Sequence, residues 1–115
     1  MAIKIYGIKN CDTMKKTFTF LEGHGASYEF HDYKKSGADE KVLRAAMAEH
    51  GWEKVINRRG TTWRKLPDDV KTSMDEERAV AAAIDNPSMI KRPILTMGDE
   101  IVLGFDADQY AKILG

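Results

Sequence analysis

The chain has 115 residues, enough for one domain and too few for two independent cores. Hydrophobic residues make up 43% and charged residues 31%, which excludes a disordered or fibrous chain. Lys plus Arg and Asp plus Glu number 18 each, so the zero net charge argues against a nucleic-acid partner. No apolar run approaches the roughly 20 residues of a membrane span, and the start Met1-Ala2-Ile3-Lys4-Ile5 lacks the zones of a secretory signal.

From the start, Ile3 to Ile8 is apolar and β-branched and predicts a buried strand. Asn10 to Thr13 is polar and reads as a turn. From Met14 the spacing becomes helical, with Met14, Phe18 and Leu21 apolar and Lys15, Lys16 and Glu22 polar, and Gly23 and Gly25 end the segment. Ser27 to Tyr33 alternates, with Tyr28 and Phe30 on one face and Glu29 and His31 on the other. Strand, helix and strand in so short a span predict a βαβ unit with parallel strands. Lys34 to Ala38 is the most linker-like stretch.

Next, Asp39 can cap a helix carrying Val42, Leu43, Ala46 and Met47, which Gly51 can end, and Trp52 to Ile56 reads as a short helical turn. Ser73 with Glu76 forms a capping-box pattern ahead of Ala79, Val80, Ala83 and Ile84, and Asn86-Pro87 ends that helix. Pro93 to Met97 and Ile101 to Leu103 flank Gly98-Asp99-Glu100, predicting a hairpin with a three-residue loop. A last helix starts at Asp106, with Gln109 at N3 and Phe105 and Tyr110 placed as a hydrophobic staple. The order βαβ, helices, ββα predicts an α/β fold. Residues 1–35 and 91–115 would build one mixed sheet, and residues 36–90 would be a helical insertion covering one side.

The single cysteine, Cys11, excludes an internal disulfide and fits a reducing cytoplasm. It follows a buried strand and opens a helix, where free N–H groups and partial positive charge favour a thiolate. Lys9, Lys15 and Lys16 add charge nearby, and Thr13 can donate its hydroxyl to the sulfur or cap the helix. The alternative is a buried, inert cysteine, weakened here by the polar neighbours Asn10, Asp12 and Thr13. Met14 excludes a Cys-x-x-Cys dithiol and Thr17 a Cys-x5-Arg phosphatase loop. His24, His31 and His50 read as surface or structural residues, with no spacing for a metal. A lone thiolate then needs an external thiol, and glutathione is the simplest. Arg58, Arg59 and Arg64 are either oxyanion clamps or a solvated basic face. Arg92 precedes Pro93 at the start of a strand, at the one type of peptide bond where cis costs little. Trp52, Trp63 and the four tyrosines read as packing residues.

Tyr6 to Lys16, Asp32-Tyr33-Lys34, Gly51-Trp52, Ile56 to Arg64, Ile90 to Pro93 and Gly104-Phe105 resemble the ArsC (arsenate reductase) family, in its YffB-like branch near the Spx and MgsR regulators. The resemblance spans nearly the whole chain. It implies a thioredoxin-like fold with a helical insertion and a nucleophile at Cys11. It also implies arginines at Arg58 and at Arg92, before a cis Pro93, that hold an oxyanion or a glutathione carboxylate, with Thr13 and Lys15 supporting the thiolate. The third arginine of family arsenate reductases has no counterpart, because that region reads Leu103-Gly104-Phe105. The implied activity is therefore a cytoplasmic, monomeric, glutathione-dependent thiol reductase acting on a thiol-disulfide or oxyanion substrate. Arsenate reduction proper, or a non-catalytic Spx-like regulator binding RNA polymerase, are the alternatives.

Overall fold

The structure is a computed structural model and describes residues 2–114. Met1 and Gly115, the ends of the predicted core, lie outside the described residues. The chain divides into two compact units, Met1–Ser36 with Arg92–Gly115, and Gly37–Lys91.

In the first unit, strand β1 (Ile3–Gly7) leads into helix α1 (Asp12–Gly23), strand β2 (Tyr28–Asp32) and a one-turn helix α2 (Tyr33–Ser36). After the second unit, the chain returns as β3 (Ile94–Met97), β4 (Glu100–Leu103) and a C-terminal helix, α8 (Ala107–Leu114). The sheet order is β2-β1-β3-β4. β1 and β2 are parallel, with Ile5 opposite Phe30, whereas β1 and β3 are antiparallel, with Ile5 opposite Leu95. A parallel βαβ half joined edge to edge to an antiparallel ββα half is the predicted thioredoxin-like arrangement.

Ile3, Ile5, Met14, Leu21, Leu95, Val102 and Tyr110 form the core of this unit. α1 packs on the predicted face of β2: the Phe18 ring stacks on Tyr28 at 5.3 Å and meets Phe30 edge-on at 5.1 Å. His31, expected on the opposite face as a surface or structural residue, is half-buried there, its ring 5.2 Å from that of Tyr6. The hairpin loop is shorter than predicted. Met97 pairs with Glu100, so Gly98 and Asp99 alone make the turn, with Gly98 at φ 60° in the left-handed region that a two-residue loop requires of its first residue. At α8 the Asp106 carboxylate accepts from the Gln109 N–H at 3.1 Å, and the Phe105 and Tyr110 rings meet at 5.4 Å, as the cap and staple reading predicted.

The second unit is helical: α3 (Glu40–His50), α4 (Trp52–Val55), α5 (Thr61–Arg64), α6 (Asp68–Thr72), α7 (Glu76–Asp85) and a 3-10 turn (Pro87–Met89). Asp39 caps α3 by accepting from the Val42 N–H, and Gly51 ends it at φ 89°. The cap of α7 differs from the predicted one. Asp75, with extended backbone, accepts from the Arg78 N–H at 2.8 Å, whereas Ser73 ends α6 and gives its hydroxyl to the Asp69 carbonyl. Asp75→Ala is therefore expected to cost about 1 kcal/mol of unfolding free energy and Ser73→Ala clearly less. Urea titration of the two variants checks this, and equal costs would contradict the assignment. Among the described residues, no helix is long and apolar enough to cross a membrane.

Candidate functional site around Cys11

The turn after β1 ends at Cys11, which is the N-cap of α1 (φ −144°, ψ 135°), so the cysteine opens the helix as the sequence predicts. Its carbonyl accepts from the Lys15 N–H at 3.0 Å, starting the helical ladder. The first N–H groups of a helix have no partner within it, and here they lie around a sulfur. The neutral thiol makes no side-chain cap bond of ordinary geometry. Partial burial pushes the Cys11 thiol up. This is outweighed by the backbone N–H groups of Met14 and Thr13 and by the charge and side-chain donor of Arg92, which together hold the thiol below its ordinary value. The net result is a half-exposed sulfur biased toward its reactive form.

Arg92 reaches this position through the sheet. β3 runs antiparallel beside β1, with Tyr6 opposite Ile94, so the residues just before β3 lie alongside the turn just after β1. The Arg92–Pro93 bond is cis, Pro93 is buried and Arg92 is half-buried. The structure thus brings together Cys11, Thr13, Arg92 and Pro93. Thr13 acts through its backbone N–H, and its carbonyl accepts the Thr17 hydroxyl at 2.9 Å. The Lys15 side chain is exposed on α1.

Arg58 belongs to the second unit. Its guanidinium lies 5.9 Å from the centre of the Trp52 ring, whose own neighbour is Trp63 at 5.9 Å. The loop that carries it is closed by Asn57, whose side chain accepts from the Arg59 N–H and whose carbonyl accepts from the Gly60 N–H. Gly60 is closely approached: a Cβ there would stand 3.1 Å from the Asn57 side-chain nitrogen and 3.3 Å from its backbone carbonyl oxygen, so Asn57 would have to give by a few tenths of an ångström.

His24 lies at the opposite end of α1 from Cys11, with its ring nitrogen 2.9 Å from the Phe20 carbonyl. Among the described residues, no group of three His, Cys, Asp or Glu side chains could hold a metal. Sequence reasoning passed over Thr17, which is polar yet fully buried, and the phenol of Tyr110. The available signal was a hydroxyl at position 17, on the helix face shared by Met14 and Leu21.

Comparison with known proteins adds three findings. A family model described as the ArsC family matches residues 6–113. Two solved structures superpose on almost the whole chain. One is a YffB protein, at 49% identity and a TM-score of 0.95, covering 99% of this chain and 100% of the other. The second is an arsenate reductase (ArsC) related protein from Brucella melitensis, at 46% identity and a TM-score of 0.77, covering 99% and 95%. The global transcriptional regulator Spx of Streptococcus pyogenes serotype M6 is 28% identical over 111 residues, or 91% of this chain and 79% of the regulator.

Proposed function

Because the chain belongs to the ArsC family, we propose that it is a glutathione-dependent thiol reductase whose one nucleophile is Cys11. The observation that carries this reading is the position of the sulfur: half-exposed at the N-terminus of α1, beside Arg92, with its thiol held low.

With a mixed disulfide of glutathione as substrate, the Cys11 thiolate attacks the glutathione sulfur. One S–S bond breaks as another forms, and the second thiol leaves as thiolate and takes up a proton. A second glutathione, as thiolate, then attacks the sulfur of the glutathione held on Cys11 and frees Cys11. The net reaction converts the mixed disulfide and one free glutathione into the free substrate thiol and glutathione disulfide, and the protein returns unchanged. No second cysteine is needed, consistent with there being only one. Arg92 holds a glutathione carboxylate or the oxygens of an oxyanion, since its planar fork can engage two oxygens at once. Arg58 would serve the same class of group. Lys15 supplies positive charge at the mouth of the site, and the enzyme works as a monomer in the cytoplasm.

Kinetics of Cys11 alkylation by iodoacetamide as a function of pH test this reading. The thiolate is the reacting form, so a lowered value brings the rate to its plateau at lower pH. The midpoint is expected below the roughly 8.5 of a free cysteine. Glutathione disulfide is expected to form a mixed disulfide on Cys11, seen by mass spectrometry. An ordinary midpoint with no mixed disulfide would defeat the proposal. The similarity to Spx favours a second reading, a transcriptional regulator that docks on RNA polymerase without turnover, and that outcome would move the assignment to it.

A further inference from the structure

We infer that Gly7, the last residue of β1, is a positioning residue for Cys11: its missing side chain lets the buried Met14 thioether lie against the strand, which sets the first turn of α1 where its N–H groups surround the sulfur. The inference rests on the reading of Cys11 as a thiolate nucleophile.

A glycine inside a strand weakens it and needs a reason, either a backbone angle that other residues avoid or a close approach. Gly7 is buried, stands in register with Asp32 of β2 and does not have a positive φ, so its backbone angle is open to any residue. The reason is space. A Cβ at Gly7 would stand 2.6 Å from Met14 Sδ and 2.9 Å from its Cε, well inside van der Waals contact, while Met14 Cγ at 3.7 Å would be in ordinary contact. Met14 is fully buried, in the cluster that includes Ile5, Leu21 and Leu95. Its thioether end is flexible, but a close-packed core has no empty space to receive it, so a side chain at position 7 acts on the turn that carries Met14.

Gly7 and Met14 bracket the segment that presents the sulfur. Ile8, Lys9 and Asn10 connect β1 to Cys11, and Asp12 and Thr13 lead from it to Met14. With Cys11 as N-cap, Met14 is the third residue of α1, and the N–H at that position is one of those an N-cap side chain faces. The Gly7–Met14 contact therefore fixes where that N–H stands relative to the strand. Burial pushes the Cys11 thiol up, and among the groups that hold it down the Met14 N–H comes first, ahead of the Thr13 N–H and Arg92. Arg92 acts on the sulfur from the segment before β3, the Asp12, Lys15 and Lys16 side chains are exposed on α1, and that of Lys9 is exposed in the turn. None of these charges is altered in the test below.

The test compares iodoacetamide profiles of the intact protein, Gly7→Ala, Met14→Val and the double variant, after circular dichroism has shown each folded. Met14→Val removes the two atoms that an added Cβ would strike. With Met14 in place, Gly7→Ala is expected to raise the midpoint by about half a pH unit, about a threefold loss of alkylation rate at pH 7. In the Met14→Val background the same change is expected to leave the midpoint where Met14→Val alone puts it, because the collision is gone. A role in packing alone would lower stability without moving the midpoint. A native midpoint in folded Gly7→Ala means that only the thioether end has moved; it overturns this inference and leaves the proposed reductase standing. An equal rise in both backgrounds overturns it likewise, and an ordinary midpoint in the intact protein overturns both readings. Should Gly7→Ala not fold, it is made in the Met14→Leu background, where the shorter side chain softens the collision. A midpoint above that of Met14→Leu alone is expected there, and equal midpoints overturn the inference.

Discussion

Cys11→Ser is expected to reduce turnover to the uncatalysed background while leaving the fold intact. A serine hydroxyl does not ionise in the working range and cannot form a mixed disulfide, so both thiol exchanges are lost at once. The structural cost is small. Cys11 stands at the margin of the core, half-exposed, and makes no ordinary side-chain cap bond. Serine is a preferred N-cap and can accept from the same free N–H groups, so α1 should be as stable as before or slightly more so. A glutathione-coupled reduction assay beside a urea titration separates the two effects. Turnover in a folded Cys11→Ser protein would rule out the mechanism proposed above.

Leu21→Ala is expected to have the largest effect on stability. Leu21 is fully buried in the cluster that joins α1, β1, β3, β4 and α8. Truncating such a side chain costs about 2–5 kcal/mol, combining lost transfer free energy with the cavity left behind. Against a total of about 5–15 kcal/mol for an ordinary domain, that is a large share. The urea midpoint should fall with an unchanged slope, and a loss below about 1 kcal/mol would mean that the core closes over the gap. The substitution also loosens the helix that presents Cys11, so activity should decline as the unfolded population grows.

The elements legible in the sequence are those whose apolar spacing reports burial. Met14 and Leu21 mark the inner face of α1, and Leu43, Ala46 and Met47 that of α3. Asp39 and Asp106 cap as predicted because each stands just ahead of such a pattern. α5 and α6 were not foreseen. They have no buried residues, so no periodicity marks them. Ser73 and Asp75 are both good caps two residues apart, and local sequence cannot choose between them; the structure uses Ser73 to close α6. The loop of the β3–β4 hairpin was predicted one residue too long because Glu100 reads as polar although it pairs with Met97. At the site, the position of Cys11 and the proline after Arg92 were visible. The contribution of Thr13 was assigned to its hydroxyl rather than its backbone, and the packing of Tyr110 edge-on against Phe20 requires α1 and α8 to be seen side by side.

The register of the central strands also bears on how the chain acquires its fold. β1 can pair with β2, and β3 with β4, after closing only short loops, but Ile5 and Leu95 meet from opposite ends of the sequence. With roughly ninety residues between them, that pairing should form late and set the folding rate, because closing the loop precedes any gain from the new contacts. The equilibrium penalty is far milder, since doubling such a loop adds only about 0.6 kcal/mol. A sheet divided in this way can accommodate a long helical segment between its halves at little thermodynamic cost, at the expense of slower assembly.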